Sequence, residues 1–236
     1  MHANHPPAST RAGRTVRVDA PSPGVQVITL DRPHRLNAMS GELISDLHRA
    51  IDNAAADEEC RVVVITGAGR GFCAGLDLKE PPSYRPGTAN VSPQSRMHVQ
   101  QAIAAFVPKL RNLRQPVIAA VNGPASGGGL ALALASDIRI AAASATFNAA
   151  FVRIGLSGCD IGVSWLLPRL IGAGHLPRET APALHQRVGT AGRSRGCQIR
   201  AIRGYLGERW PWCRTIGQWA MSRLTLIPAC GRIRRR

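Results

Sequence analysis

A chain of 236 residues that is 44% hydrophobic and 19% charged is long and apolar enough for a sizeable core, which excludes a wholly disordered chain. Its net charge of +16 is unevenly spread: residues 1–174 carry 15 Arg and 2 Lys against 12 Asp and Glu, whereas residues 175–236 carry 13 Arg against 2 Glu. The excess that would suggest a nucleic-acid or membrane partner belongs to the tail and not to the body.

In chain order, "MHANHPPASTRAGRT" lacks the apolar stretch of an export signal, so residues 1–15 read as a flexible leader and the expected location is cytoplasmic. "VQVITLD" (25–31) alternates as a half-buried strand should, and "GELISDLHRAIDNAAAD" (41–57) has the apolar spacing of an amphipathic helix. "RVVVITGAG" (61–69) is a β-branched run ending in glycine, the pattern of a buried strand. "EPPSYRPGTANVSPQS" (80–95) reads as a loop, and "MHVQQAIAAFVPKLRNL" (97–113) as a helix that Pro108 kinks or splits.

"PVIAAVNG" (116–123) predicts another buried strand, and the triple glycine of "PASGGGLALALASD" (124–137) opens an apolar helix with no acid before Asp137. "DIRIAA" (137–142) predicts a short strand and "SWLLPRLIG" (164–172) a helix. Strands alternating with helices predict an α/β fold with a mostly parallel sheet. No apolar stretch is long enough to span a bilayer. The six cysteines show neither C-x-x-C nor zinc-like spacing, so structural thiols and no metal site are expected.

After Gly174 the apolar periodicity stops, and three of the four tryptophans and three of the six cysteines fall in the Arg-rich remainder. This composition is compatible with three origins: a frameshifted or replaced C-terminus, a degenerate native tail, or a cationic arm that pairs with phosphates and stacks on bases. The domain reading is thus a leader (1–15), a core (16–174) and an atypical tail (175–236).

Three linked segments, "TLDRPHRLNAM" (29–39), "ITGAGRGFCAGLDLKE" (65–80) and "PVIAAVNGPASGGGLALALASD" (116–137), followed by "SATFNAAFVRIGL…GVSWLLPRLIGAG" (144–174), closely resemble the crotonase superfamily of enoyl-CoA hydratases and isomerases. The resemblance covers about residues 16–174. It implies a spiral of β-β-α turns with the C-terminal helical part missing or replaced, and assembly as a homotrimer or hexamer. The implied substrate is an acyl-CoA thioester, with coenzyme A as part of the substrate and no separate cofactor.

By motif match, two backbone amides would form an oxyanion hole for the thioester enolate, at Ala74 and Gly128. Ala38, Leu76, Asp77 and Leu78 would line the CoA path mainly through backbone atoms, and Arg35 would either meet a CoA phosphate or be an exposed loop arginine. The two glutamates of a hydratase would fall at Ala131 and at Phe151 or Val152, none of them acidic, so the resemblance implies isomerase-like rather than hydratase chemistry. Asp160 matches an acidic position of dienoyl-CoA isomerases and reads either as a proton-transferring base or nucleophile, or as a helix N-cap. His98 reads as a surface or core histidine, and Cys159 has no activating base in view. Two other readings stay open: an inactive remnant, and nucleic-acid binding through the basic tail.

Overall fold

The computed structural model describes residues 9–11, 14–79, 92–151, 156–159, 161–171 and 186–187. Apart from Gln186–Arg187, the Arg-rich tail lies outside the described residues.

The larger sheet has six strands in the order β1 (Ser9–Arg11), β2 (Val16–Ser22), β3 (Val25–Leu30), β4 (Val62–Gly67), β5 (Val117–Val121) and β7 (Ile138–Ala141). β1, β2 and β3 pair antiparallel, while β3, β4, β5 and β7 run parallel. The stretch read as a leader thus contributes an edge strand, and the mostly parallel sheet carries an antiparallel ribbon on one side. A smaller sheet joins β6 (Ala125–Ser126), β8 (Thr146–Asn148) and β9 (Gln186–Arg187).

The helices are α1 (Gly41–Ala56), α2 (Pro93–Ala104), α3 (Phe106–Arg111), α4 (Gly128–Ala135) and α5 (Val163–Ile171). The order β2-β3-α1, β5-β6-α4 and β7-β8-α5 repeats a two-strand-and-helix unit, with one strand of each later unit in either sheet. The α/β class and the spiral of β-β-α turns are therefore both present.

Local chemistry explains these elements. In β4, Val63 and Ile65 face the main core while Val62 and Val64 face a second apolar cluster, so both faces of the strand are buried. A continuous β-branched run is what such a strand requires. Helix α1 starts at Ser40, whose hydroxyl accepts the Leu43 amide at 3.1 Å, and it buries Leu43, Leu47, Ala50, Ile51 and Ala54 at helical spacing. Each buried Leu or Ile of that face contributes roughly 1.5–3 kcal/mol. The helix expected over 97–113 breaks at Ala105 into α2 and α3. Pro108 has no N–H to give the carbonyl four residues before it, so the ladder is interrupted there.

Candidate functional site

The site is assembled where the loop after β4, the segment before α1 and the start of α4 meet. Gly75 has φ +88°, and a side chain there would place its first carbon 2.8 Å from the Ser126 carbonyl and 3.4 Å from the Gly128 nitrogen. Only glycine lets the two backbones approach this closely. At Gly129 an added carbon would sit 2.2 Å from the Cys73 carbonyl, so the first turn of α4 is pressed against the same loop.

Residues 75–77 pair with Met39 as a short parallel bridge. The Met39 amide donates to the Gly75 carbonyl at 2.7 Å, and the Asp77 amide donates to the Met39 carbonyl at 3.0 Å. In this geometry the residue between them, Leu76, turns its own N–H away from Met39. Gly128 begins α4, where the first amides have no intrahelical acceptor. Among the described residues neither the Leu76 nor the Gly128 amide has a protein acceptor.

The motif assigned the first donor to Ala74, and the structure corrects this. The Ala74 amide already donates to the Leu36 carbonyl at 3.0 Å. The two amides differ in their partners: the Leu36 carbonyl takes that of Ala74, whereas Leu76 lies between the two residues that bond Met39, beyond the positive φ of Gly75. No local pattern marks the difference, because Met39, the partner of this segment, lies 37 residues away in sequence.

Around these amides lies a cavity of about 200 Å³. Met39, Ala74, Gly75, Leu76, Gly127 and Gly128 form one part of its wall. Leu78, α2 (through Gln100 and Ile103), Ala150 and Phe151, and the segment Leu156, Ser157 and Ile161 supply the rest. The wall is almost entirely apolar, which excludes water and strengthens any fixed dipole inside. Behind α4, the Arg139 guanidinium donates to the carbonyls of Leu134 at 3.3 Å and of Ser136, which places a cation at the helix C-terminus.

The other predicted residues separate by role. Leu76 and Leu78 line the cavity. Ala38 is buried, and its carbonyl accepts Arg32 Nη1 at 2.6 Å, so it braces the loop from beneath. The Asp77 carboxylate is buried and pairs with Arg32 at 2.9 Å, while also accepting the Lys79 amide at 3.0 Å. Burial raises its pKa, but the Lys79 amide and the Arg32 guanidinium outweigh burial and hold it below the ordinary aspartate value. Its side chain is structural. Arg35 is half-buried; its amide donates to the Arg32 carbonyl at 3.0 Å and its carbonyl accepts the Ala38 amide at 3.1 Å, while its side chain has no hydrogen bond or ion pair among the described residues.

Ala131 is buried in α4 and Phe151 lines the cavity, so neither of these hydratase positions carries an acid. Asp160 and Val152 lie outside the described residues. Asp137, at the far end of α4, accepts the Val117 amide at 2.9 Å and pairs with Arg111, so it serves the β5 end of the sheet. His98 is exposed. Cys60 and Cys73 are buried as structural thiols should be, whereas Cys159 is exposed. Sequence reasoning missed Met39 and Gln100 as wall residues, because nothing in their local pattern marks them.

A family model described as enoyl-CoA hydratase/isomerase matches residues 21–181. A protein named "Probable enoyl-CoA hydratase echA12" from Mycobacterium leprae is 44% identical over 158 residues, 67% of this chain and 54% of that protein. The 1,2-epoxyphenylacetyl-CoA isomerase of Escherichia coli is 44% identical over 149 residues, 63% of this chain and 55% of that protein. Among solved structures, an enoyl-CoA hydratase from Bacillus anthracis superposes with a TM-score of 0.61 at 37% identity, over 68% of this chain and 60% of that one. The chain spans about half the length of the curated relatives it matches. No described helix is long and apolar enough to cross a membrane.

Proposed function

The chain belongs to the enoyl-CoA hydratase/isomerase family, and from that premise we propose that it binds an acyl-CoA thioester in the apolar cavity, with the thioester oxygen held by the Leu76 and Gly128 amides. The observation that carries this reading is the pairing of Met39 with Gly75 and Asp77, which leaves the Leu76 amide without a protein acceptor next to the start of α4. Removing a proton beside a thioester carbonyl moves negative charge onto its oxygen. Two fixed amides and the positive end of α4 meet that charge without reorganising.

The reaction in this reading is isomerase-like. Hydration needs one group to activate water and another to deliver a proton, and the two positions expected for them hold Ala131 and Phe151. A double-bond shift needs only one base, which takes a proton from one carbon of the acyl chain and returns it to another. Asp160 is the proposed base. Ser157 and Ile161, close on either side of it in sequence, line the cavity, and a relative 44% identical is named as an isomerase. The cytoplasmic location and the trimer or hexamer implied by the family resemblance belong to the same proposal.

Proton exchange tests this directly. In deuterated water the protein should wash deuterium into an enoyl-CoA and shift its double bond, and Asp160→Asn should remove both while binding persists. Folded protein that binds no CoA ester at any chain length overturns the reading. A second reading is non-catalytic acyl-CoA binding, favoured by one observation: among the described residues no carboxylate, imidazole or thiol lines the cavity. Tight binding with no exchange in the wild-type chain would select it. Nucleic-acid binding would rest on residues 175–236, nearly all outside the described ones, and it predicts affinity that falls steeply with salt.

A further inference from the structure

Helix α2 presents Ile103 and, one turn earlier, Gln100 to the cavity. Residues three apart share one helix face, so a carboxamide stands where a continuous apolar wall would call for a leucine. Among the described residues, Gln100 and Ser157 are the only wall residues with a side-chain nitrogen or oxygen. Their circumstances differ. The Ser157 hydroxyl already accepts the Cys159 amide at 3.1 Å, whereas the half-buried Gln100 carboxamide has no hydrogen-bond partner among the described residues.

From this we infer that Gln100 selects acyl groups bearing an oxygen substituent, a hydroxyl or a carbonyl, over plain hydrocarbon chains of the same length. The inference rests on the reading that the cavity receives an acyl-CoA chain. A carboxamide offers two donors and one two-lone-pair acceptor, so it complements either oxygen group. A purely hydrocarbon chain filling the cavity takes water from the carboxamide and returns no hydrogen bond, whereas a substituted chain restores one. Sites built around such a polar group discriminate mainly by leaving it unpaired with the wrong ligand. For a half-buried amide the expected discrimination is roughly tenfold.

The test uses the full chain and calorimetric titration with octanoyl-CoA and a set of monohydroxy-octanoyl-CoA esters, the hydroxyl moved stepwise from the third carbon to the terminal one. The expected result is one isomer bound about tenfold more tightly than octanoyl-CoA. Gln100→Leu should erase that preference by binding octanoyl-CoA more tightly and the favoured isomer less. The wild-type ranking is a test that needs no variant, and Gln100→Met is the second substitution if leucine impairs folding. Wild-type protein that binds octanoyl-CoA with no isomer preferred, or a folded variant that keeps the preference, overturns the role of Gln100 and leaves acyl-CoA binding intact. Failure to bind any ester overturns both.

Discussion

Asn37 and Asn122, 85 residues apart in sequence, both donate to the carbonyl of Gly71, at 2.8 and 3.2 Å. Asn37 also donates to the Ala68 carbonyl at 2.9 Å and accepts the Arg32 amide at 2.9 Å, while Asn122 accepts the Gly67 amide at 3.2 Å. The two side chains together fasten the turn that carries the chain from β4 to Gly75 and Leu76. Asn37 sits at φ 57°, a left-handed conformation that asparagine tolerates better than most residues.

Asn37→Ala should therefore destabilise the fold by about 2–3 kcal/mol, since it unpairs buried backbone groups and places alanine at a positive φ. Asn37→Gly should recover part of the backbone term and none of the hydrogen bonds. Urea unfolding of the three proteins checks the ranking, and equal midpoints for alanine and wild type would refute it.

Gly75→Ala should separate the Leu76 ribbon from α4, because the new carbon would lie 2.8 Å from the Ser126 carbonyl and the residue would keep φ +88°. If the Leu76 and Gly128 amides polarise the thioester, turnover should fall by about 10²–10³. The red shift of the bound thioester carbonyl stretch should shrink with it. The infrared shift separates loss of polarisation from general unfolding.

Asp77 gives a pH dependence with a definite sign. Its folded pKa lies below the ordinary aspartate value, so its stabilisation is fully present above about pH 4 and is lost as pH falls through the lowered folded value. Asp77→Asn should be destabilised by about 1–3 kcal/mol at pH 7, because the half-buried Arg32 keeps the Ala38 carbonyl but loses its carboxylate. The gap to wild type should narrow as the pH drops below about 4. Unfolding midpoints between pH 7 and pH 2.5 measure it, and a constant gap would exclude this ion pair as the cause.

The thiols should differ in reactivity. Burial pushes Cys73 up to about 12, with a backbone hydrogen bond at Gly75 opposing it, and burial raises Cys60 as well. The thiolate is the reacting form, so iodoacetamide at pH 8 should alkylate the exposed Cys159 while Cys60 and Cys73 stay intact until the chain unfolds. Peptide mass spectrometry gives the order.

Much of this protein is legible in its sequence, because one-dimensional patterns are physical consequences of burial. The β-branched run at 62–67 and the apolar spacing of 41–56 specify a strand buried on both faces and a helix buried on one. The glycines at 75 and 127–129 mark where two backbones must touch, and the linked motifs carry the family. What the sequence could not decide depends on direction and on distant partners. That the Ala74 amide is taken by the Leu36 carbonyl while the Leu76 amide has no protein acceptor among the described residues depends on contacts with a segment some 37 residues earlier. The pairing of the Asp77 carboxylate with Arg32, 45 residues earlier, is likewise a tertiary contact that no local pattern marks. The place of Gln100 in an apolar wall emerges only where α2 lines the same cavity as the β4 loop and the start of α4, because a lone polar residue on a helix carries no local mark of what it will face.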